Sequence, residues 1–244
     1  VTLSTHLDTV PPFIGPARSA TRLAGRGACD AKGIAAAMMV AAQQLAEEGE
    51  ERVDLLLVVG EETSSDGARA ANLLPATSRY LINGEPTEGL LASGAKGSML
   101  VTLRSCGRAA HSAYPELGTS ALEPMLALLP TLRELDLPVD AQLGRTTINI
   151  GTLHAGRAAN IVPDEAVAQL MVRLVGDAAQ VRGILERWSV GRAEIEFSPH
   201  IPAQHFHTVP GFDTGPVSYT SDIPLLDRWG TPLLFGPGSI RVAH

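Results

Sequence analysis

With 244 residues, 45% of them hydrophobic and 18% charged, the chain can bury a substantial core, enough for one large domain or two modest ones. Its net charge of −7 supplies no basic surface of the kind phosphate backbones require, so nucleic acid is excluded as an expected partner. The apolar stretches fall short of the roughly 20 residues that cross a bilayer and no basic-then-apolar leader opens the sequence, so a cytoplasmic protein without a membrane partner is expected, with its two cysteines, Cys29 and Cys106, kept reduced. Val1 begins directly in a strand pattern and His244 closely follows an apolar run, which reads as a piece of a longer chain.

The first strand runs out at Ser4-Thr5-His6-Leu7-Asp8-Thr9-Val10-Pro11. Alternate strand residues share a side, so His6 and Asp8 are expected to project together while Leu7 turns into the core. Such a pair suits a metal floor: one residue binds and the other orients it by accepting the second ring N–H. A surface capping arrangement fits the same spacing, so the weight falls on the acids downstream.

After the Pro11-Pro12 break, Gly25-Arg26-Gly27-Ala28-Cys29-Asp30-Ala31-Lys32-Gly33 forms a glycine-rich turn that delivers Asp30 to a helix start. The alanine-rich segment Ile34–Glu48 is expected to be an interior helix ending at Gly49. A dinucleotide fingerprint is excluded here, because the third glycine is missing and position 30 carries a charge that repels pyrophosphate; no Gly-Lys-Ser/Thr follows for a phosphate loop. The apolar run Val53–Val59 predicts a strand covered on both faces in a parallel sheet, ending at Gly60-Glu61-Glu62-Thr63. A second strand, Tyr80–Ile82, ends at Asn83-Gly84-Glu85-Pro86-Thr87. Ligands of open α/β sheets sit beyond the carboxyl ends of the strands, so His6, Asp8, Asp30, Glu61, Glu62 and Glu85 should converge there. Converging carboxylates repel unless cations neutralise them. Solvated helix caps would explain Asp66 but not the adjacent Glu61 and Glu62.

From Lys96 the pattern changes to strand Ser98–Cys106, helix Thr119–Leu135, strands Arg145–Leu153 and Glu165–Val175, helix Ala178–Val190 and strand Arg192–Phe197. That order, β-α-β-β-α-β, predicts a ferredoxin-like unit inserted whole into an α/β domain. The expected division is therefore 1–97 and 201–244 for a metal-binding catalytic domain and 98–200 for the insert. Exposed edge strands of such an insert commonly pair with another subunit, so a homodimer through it is expected.

Together, the segments Ser4–Pro11, Gly25–Gly33, Gly60-Glu61-Glu62, Gly84-Glu85-Pro86-Thr87, His111, and Gly236-Pro237-Gly238-Ser239 with His244 resemble the dinuclear-zinc amidohydrolases that include acetylornithine deacetylase, succinyl-diaminopimelate desuccinylase and glutamate carboxypeptidase. The resemblance covers essentially the whole chain, and the last motif looks most like the acetylornithine deacetylase branch. It implies a zinc-exopeptidase-type α/β fold with a lid and dimerisation insert. It further implies two zinc ions, one held by His6 and Glu85, the other by Glu62 and His244, with Asp30 bridging both. Imidazole and carboxylate donors suit zinc independently of the resemblance, and cobalt or manganese would accept the same set. Glu61 is then the general base for a metal-bridging water, Asp8 the residue that orients His6, and His111 an oxyanion-stabilising group acting across the dimer. Arg173, a charge within the apolar strand Met171-Val172-Arg173-Leu174, is an edge-strand arginine, a salt-bridged one, or a bidentate clamp for a substrate α-carboxylate. Asn160 matches a substrate-contacting asparagine, and the loop from Gly236 to Ser239 offers backbone donors. His154, His200, His205 and His207 are read as structural or solvent-facing.

The expected activity is hydrolysis of an N-acyl amino acid, as in acetylornithine deacetylase. A desuccinylase, carboxypeptidase or dipeptidase on the same scaffold is the nearest alternative, and a non-enzymatic module with a truncated, disabled metal centre is the alternative from another class.

Overall fold

The structure, a computed structural model, describes residues 1–243. The chain forms two compact units, Val1–Ala95 with the segment beginning at His205, and Lys96–Gln204. Its longer elements are, in chain order, β1 (Thr2–His6), α1 (Lys32–Glu47), β2 (Asp54–Val58), α2 (Asp66–Ala71), β3 (Tyr80–Asn83), β4 (Leu91–Ala95), β5 (Gly97–Cys106), α3 (Leu122–Leu128), β6 (Thr147–Ala155), β7 (Glu165–Leu174), α4 (Ala178–Ser189), β8 (Glu194–Phe197), β9 (Thr214–Val217) and β10 (Thr231–Leu234).

In the first unit a parallel sheet has the order β10-β3-β1-β2. Its register sets the strand ends in step: His6 faces Val58, Ser4 faces Asn83, and Asn83 faces Leu234. The segments that leave these strands therefore emerge together at one edge, which is where the candidate site residues lie. β1 is central and buried at all five positions, because strands flank it on both sides and layers cover both faces.

Three expectations fail here for one reason, that an apolar run does not count its neighbours. β2 pairs only with β1 and ends the sheet, so Leu55, Leu57 and Val59 are exposed rather than covered on both faces. Helix α1 lies on the outside: its buried residues are Ile34, Ala35 and Met38, while Met39 and Val40 face solvent. Leu7 lies one residue past the strand, where its N–H donates to the Val58 carbonyl at 2.9 Å, and its side chain is exposed instead of entering the core. β4 was not expected from the sequence. Its residues Leu-Ala-Ser-Gly-Ala are all buried but too small to form an apolar signature; it pairs in parallel with β9, and Ser93 accepts a hydrogen bond from the Phe206 N–H.

The second unit is an antiparallel four-stranded sheet of order β6-β7-β5-β8 with two helices, the ferredoxin-like arrangement. Met99, Val101 and Leu103 of β5 and Ala168, Leu170 and Val172 of β7 point to one face and pack with Met125 and Leu128 of α3 and Val181 and Leu185 of α4. The helix expected over Thr119–Leu135 is shorter. It is α-helical at Leu122–Leu128 and continues as a 3-10 turn at Leu129–Glu134, since Pro130 has no N–H to give to an α-helical bond.

Candidate metal centre

His6 is the last residue of β1 and is 1% exposed. Its Nε2 lies 2.8 Å from Asp30 Oδ1, and its Nδ1 lies 3.2 Å from the Asp8 carbonyl and 3.4 Å from Asp8 Oδ1. Asp30 is placed by the glycine turn ahead of α1, where the Ala28 N–H donates to Gly25 and the Lys32 N–H to Gly27. Gly27, at φ +84°, adopts a conformation that other residues rarely take. Glu85 leaves β3 and is 4% exposed, with Oε1 buried and unpartnered among the described residues. Ligand atoms of His6, Asp30 and Glu85 all lie within 4.8 Å of one another.

Asp8 does more than orient His6. Its two carboxylate oxygens accept the peptide N–H groups of Glu61 at 3.3 Å and Glu62 at 3.2 Å. It thereby ties the end of β1 to the tight turn after β2, in which the Gly60 carbonyl accepts from Thr63, Ser64 and Ser65.

The electrostatics are those of a site built for cations. Burial alone would lower the His6 pKa, but the hydrogen bond to Asp30 and the charges of Glu61, Asp30 and Asp8 outweigh it and lift it to about 9. Burial raises Glu61 to about 8, opposed by His6 and reinforced by Asp222, Glu62 and Asp30. Burial, then the neighbouring carboxylates, push Glu85 well above the usual range. Asp8 goes the other way: despite partial burial, peptide donors led by Glu62, together with His6, hold it below its ordinary value. One imidazole among this many buried carboxylates leaves negative charge that divalent cations would neutralise, and an unpartnered Glu85 oxygen beside His6 and Asp30 is a fitting donor set for zinc.

Two further residues escaped the sequence reading. Asp222 is 1% exposed and acts electrostatically on Glu61 and Glu85. Tyr219 donates its hydroxyl to the Pro86 carbonyl at 3.2 Å, and burial followed by Glu85 and Asp30 raise its pKa. Both belong to the loop-rich return after residue 205, where no periodicity marks them.

Gly236 and Ser239 bond to the segment that follows Glu85. The Gly236 N–H is donated to Thr87 Oγ1 at 3.0 Å, its carbonyl accepts from Gly89, and Ser239 donates to Glu88 Oε1 at 2.5 Å. The backbone donor expected for substrate at Gly236 is thus spent on the loop that carries Glu85. His244 lies outside the described residues. His111, Asn160 and Arg173 belong to the second unit. There the His111 and Ile161 segments bridge, the Ser112 N–H donates to the Asn160 carbonyl, and His111 Nδ1 accepts from the Ala113 N–H. Arg173 is half-buried, burial lowers its pKa, and it makes no ion pair among the described residues, so the salt-bridge reading of this residue falls away.

Known proteins resemble this chain in both of its units. Residues 93–188 match the sequence profile described as peptidase dimerisation domain, and residues 1–83 match peptidase family M28. A peptidase M20 domain-containing protein of Schizosaccharomyces pombe is 42% identical over 251 residues, covering 100% of this chain and 63% of the relative. A probable carboxypeptidase of Aspergillus flavus is 40% identical over 288 residues, covering 100% of this chain and 66% of its own length. The chain therefore spans just under two thirds of these relatives. Among solved structures, a Staphylococcus aureus tripeptidase superposes with a TM-score of 0.72 at 22% identity, covering 96% of this chain and 71% of its own. A Saccharomyces cerevisiae di-peptidase does so with 0.74 at 11% identity, covering 98% and 73%. The chain is thus similar to peptidases of these two families, and residues 93–188 are similar to a peptidase dimerisation domain.

Proposed function

We propose that the protein is a metal-dependent hydrolase that cleaves the amide bond of a peptide or N-acyl amino acid bearing a free α-carboxylate. The observation that carries this is the buried cluster of His6, Asp30 and Glu85 with Glu61 beside it. On this reading two zinc ions are bound: His6 and Glu85 would hold one, Glu62 and His244 the other, with Asp30 shared; the cluster of His6, Asp30 and Glu85 supports the first of these. When bound, they would supply an acidified water and polarisation of the scissile carbonyl.

The chain's own residues do the rest. Glu61, beside this cluster, takes the proton of the attacking water and returns it to the leaving nitrogen. Asp8 holds His6 on one side and the peptide groups of Glu61 and Glu62 on the other, fixing base and ligands to one another. Arg173 is the candidate clamp for the α-carboxylate, with Asn160 as a second contact, and His111 the candidate oxyanion donor reaching the site of a partner subunit. A homodimer through the dimerisation domain and a cytoplasmic location complete the reading. No helix among the described residues is long and apolar enough to cross a membrane.

A carboxypeptidase substrate leads, because relatives at about 40% identity are described as probable carboxypeptidases, with a dipeptide as the neighbouring alternative. N-acetylornithine remains a second reading on the strength of Gly236-Pro237-Gly238-Ser239 followed by His244. The deciding experiment is zinc content by elemental analysis, with turnover of dipeptides, N-acylated glutamate, N-succinyl-diaminopimelate and N-acetylornithine measured side by side. Turnover that chelation abolishes and zinc restores is expected. A chain that binds no zinc, with a melting temperature insensitive to chelator, would instead be a non-enzymatic module.

A further inference from the structure

Asp222 is buried to 1% exposure and neither of its carboxylate oxygens accepts a hydrogen bond among the described residues. The surroundings make this unusual, because donors are close and pointed elsewhere. The Ser221 hydroxyl accepts from the Ile223 N–H at 3.4 Å, the Leu225 N–H donates to the Asp222 carbonyl rather than its carboxylate, and Arg69 Nε donates to the Ser64 carbonyl. The Ser65 hydroxyl is near enough to favour the charged form but makes no bond of ordinary geometry. Native folds pair buried polar groups, and a carboxylate left without partners calls for a reason.

The reason lies in its neighbours. Burial raises the Asp222 pKa, so the carboxylate is held at a cost; His6 and Arg69 oppose this and Asp8 adds to it, while Asp222 acts in turn on Glu61 and Glu85, on both sides of the candidate metal centre. It is not among the residues whose donor atoms come within 4.8 Å of one another, and burial keeps solvent and substrate from it. We infer that Asp222 is a positioning residue for the cations of this centre, a fixed negative charge that the fold leaves unpaired so that bound metal neutralises it without direct ligation. This rests on the metal-dependent reading proposed above. Its effect is to make the site bind cations more tightly than the ligands alone would, and to make the metal-free protein less stable than it would otherwise be.

The test is a zinc titration of the chelator-treated full chain against Asp222→Asn, with Asp222→Ala as a second variant that removes the same charge by a different shape. Stoichiometry by elemental analysis, Kd by competition with a chromophoric chelator, and melting temperature with and without zinc are read for each. Both variants are expected to bind the same number of zinc ions as the parent, about tenfold more weakly. Asp222→Asn is further expected to melt higher than the parent when metal-free, so that its zinc-induced rise is smaller. Loss of one zinc equivalent would show a direct ligand, and an unchanged Kd a bystander; either overturns the inference while leaving the metal centre standing. A parent chain that binds no zinc would remove both.

Discussion

Replacing Asp8 with alanine tests how the site is braced. The substitution removes two acceptors, for the N–H groups of Glu61 at 3.3 Å and Glu62 at 3.2 Å, and the carboxylate 3.4 Å from His6 Nδ1. Hydrogen bonds to a charged group contribute about 1.5–3 kcal/mol each when short and buried. These are long, and Asp8 is 24% exposed, so about 2 kcal/mol for the pair is the reasonable expectation. The sign is fixed by the titration: Asp8 is held below its ordinary value, so the fold favours its charged form. The stabilisation is therefore present above the ordinary carboxylate range and lost as pH falls through it. Urea unfolding of the chelated chain at pH 7 should show Asp8→Ala less stable by about 2 kcal/mol, with the gap closing below about pH 4. Asp8→Asn, which keeps one acceptor, should recover about half. With metal restored, zinc affinity should fall 10- to 100-fold, as when an outer partner of a ligating histidine is lost. If Asp8→Ala left both stability and zinc affinity unchanged, the bracing described here would be wrong.

Glu61→Gln should retain the full zinc content yet lose nearly all turnover on whichever substrate is accepted; retained activity would refute its assignment as base. The chelated chain should melt at progressively lower temperature as pH rises from about 6.5 to about 9. His6 and Glu61 both bind protons more tightly in the fold than when unfolded, so their contribution is present at low pH and lost as pH rises through about 8 to 9. Saturating zinc should flatten this slope, and a pH-independent melting curve without zinc would count against it. At Gly236 a Cβ would stand 2.4 Å from the Glu85 carbonyl oxygen, so Gly236→Ala should destabilise by about 1–3 kcal/mol in urea and weaken zinc binding through the shifted Glu85 loop. Sedimentation at working concentration should give a dimer, and a monomer there would remove the cross-subunit role proposed for His111.

The centre was legible where chemistry was unusual for its place in the chain. His6, Asp30 and Glu85 stood out because an imidazole and carboxylates at strand ends serve no packing purpose, and the register of the parallel sheet then brings those ends together. The ferredoxin-like unit was legible from element order alone. What escaped were properties of neighbours rather than of residues. Leu55 and Leu57 are as apolar as any core strand, yet β2 is an edge. Asp222 sits before a short 3-10 turn, indistinguishable in sequence from an ordinary surface cap, and only its burial sets it apart. Asp8 was read for its link to His6, but its bonds to Glu61 and Glu62 depend on the loop after β2 folding back over it, which no local pattern announces.

The clasp between Thr87 and Gly236 joins positions 149 apart in the chain, and β10 lies alongside β3 across a similar gap. Every residue of the second unit has to be synthesised in between. Glu85 thus leaves the ribosome long before the segment that fixes its loop, while its own strand waits with one edge bare. The loop that carries Glu85 is closed only when that later segment docks, and a metal that arrives earlier would meet a half-built host. Loading with zinc should then proceed at a rate set by the docking of β10 rather than by the supply of ions.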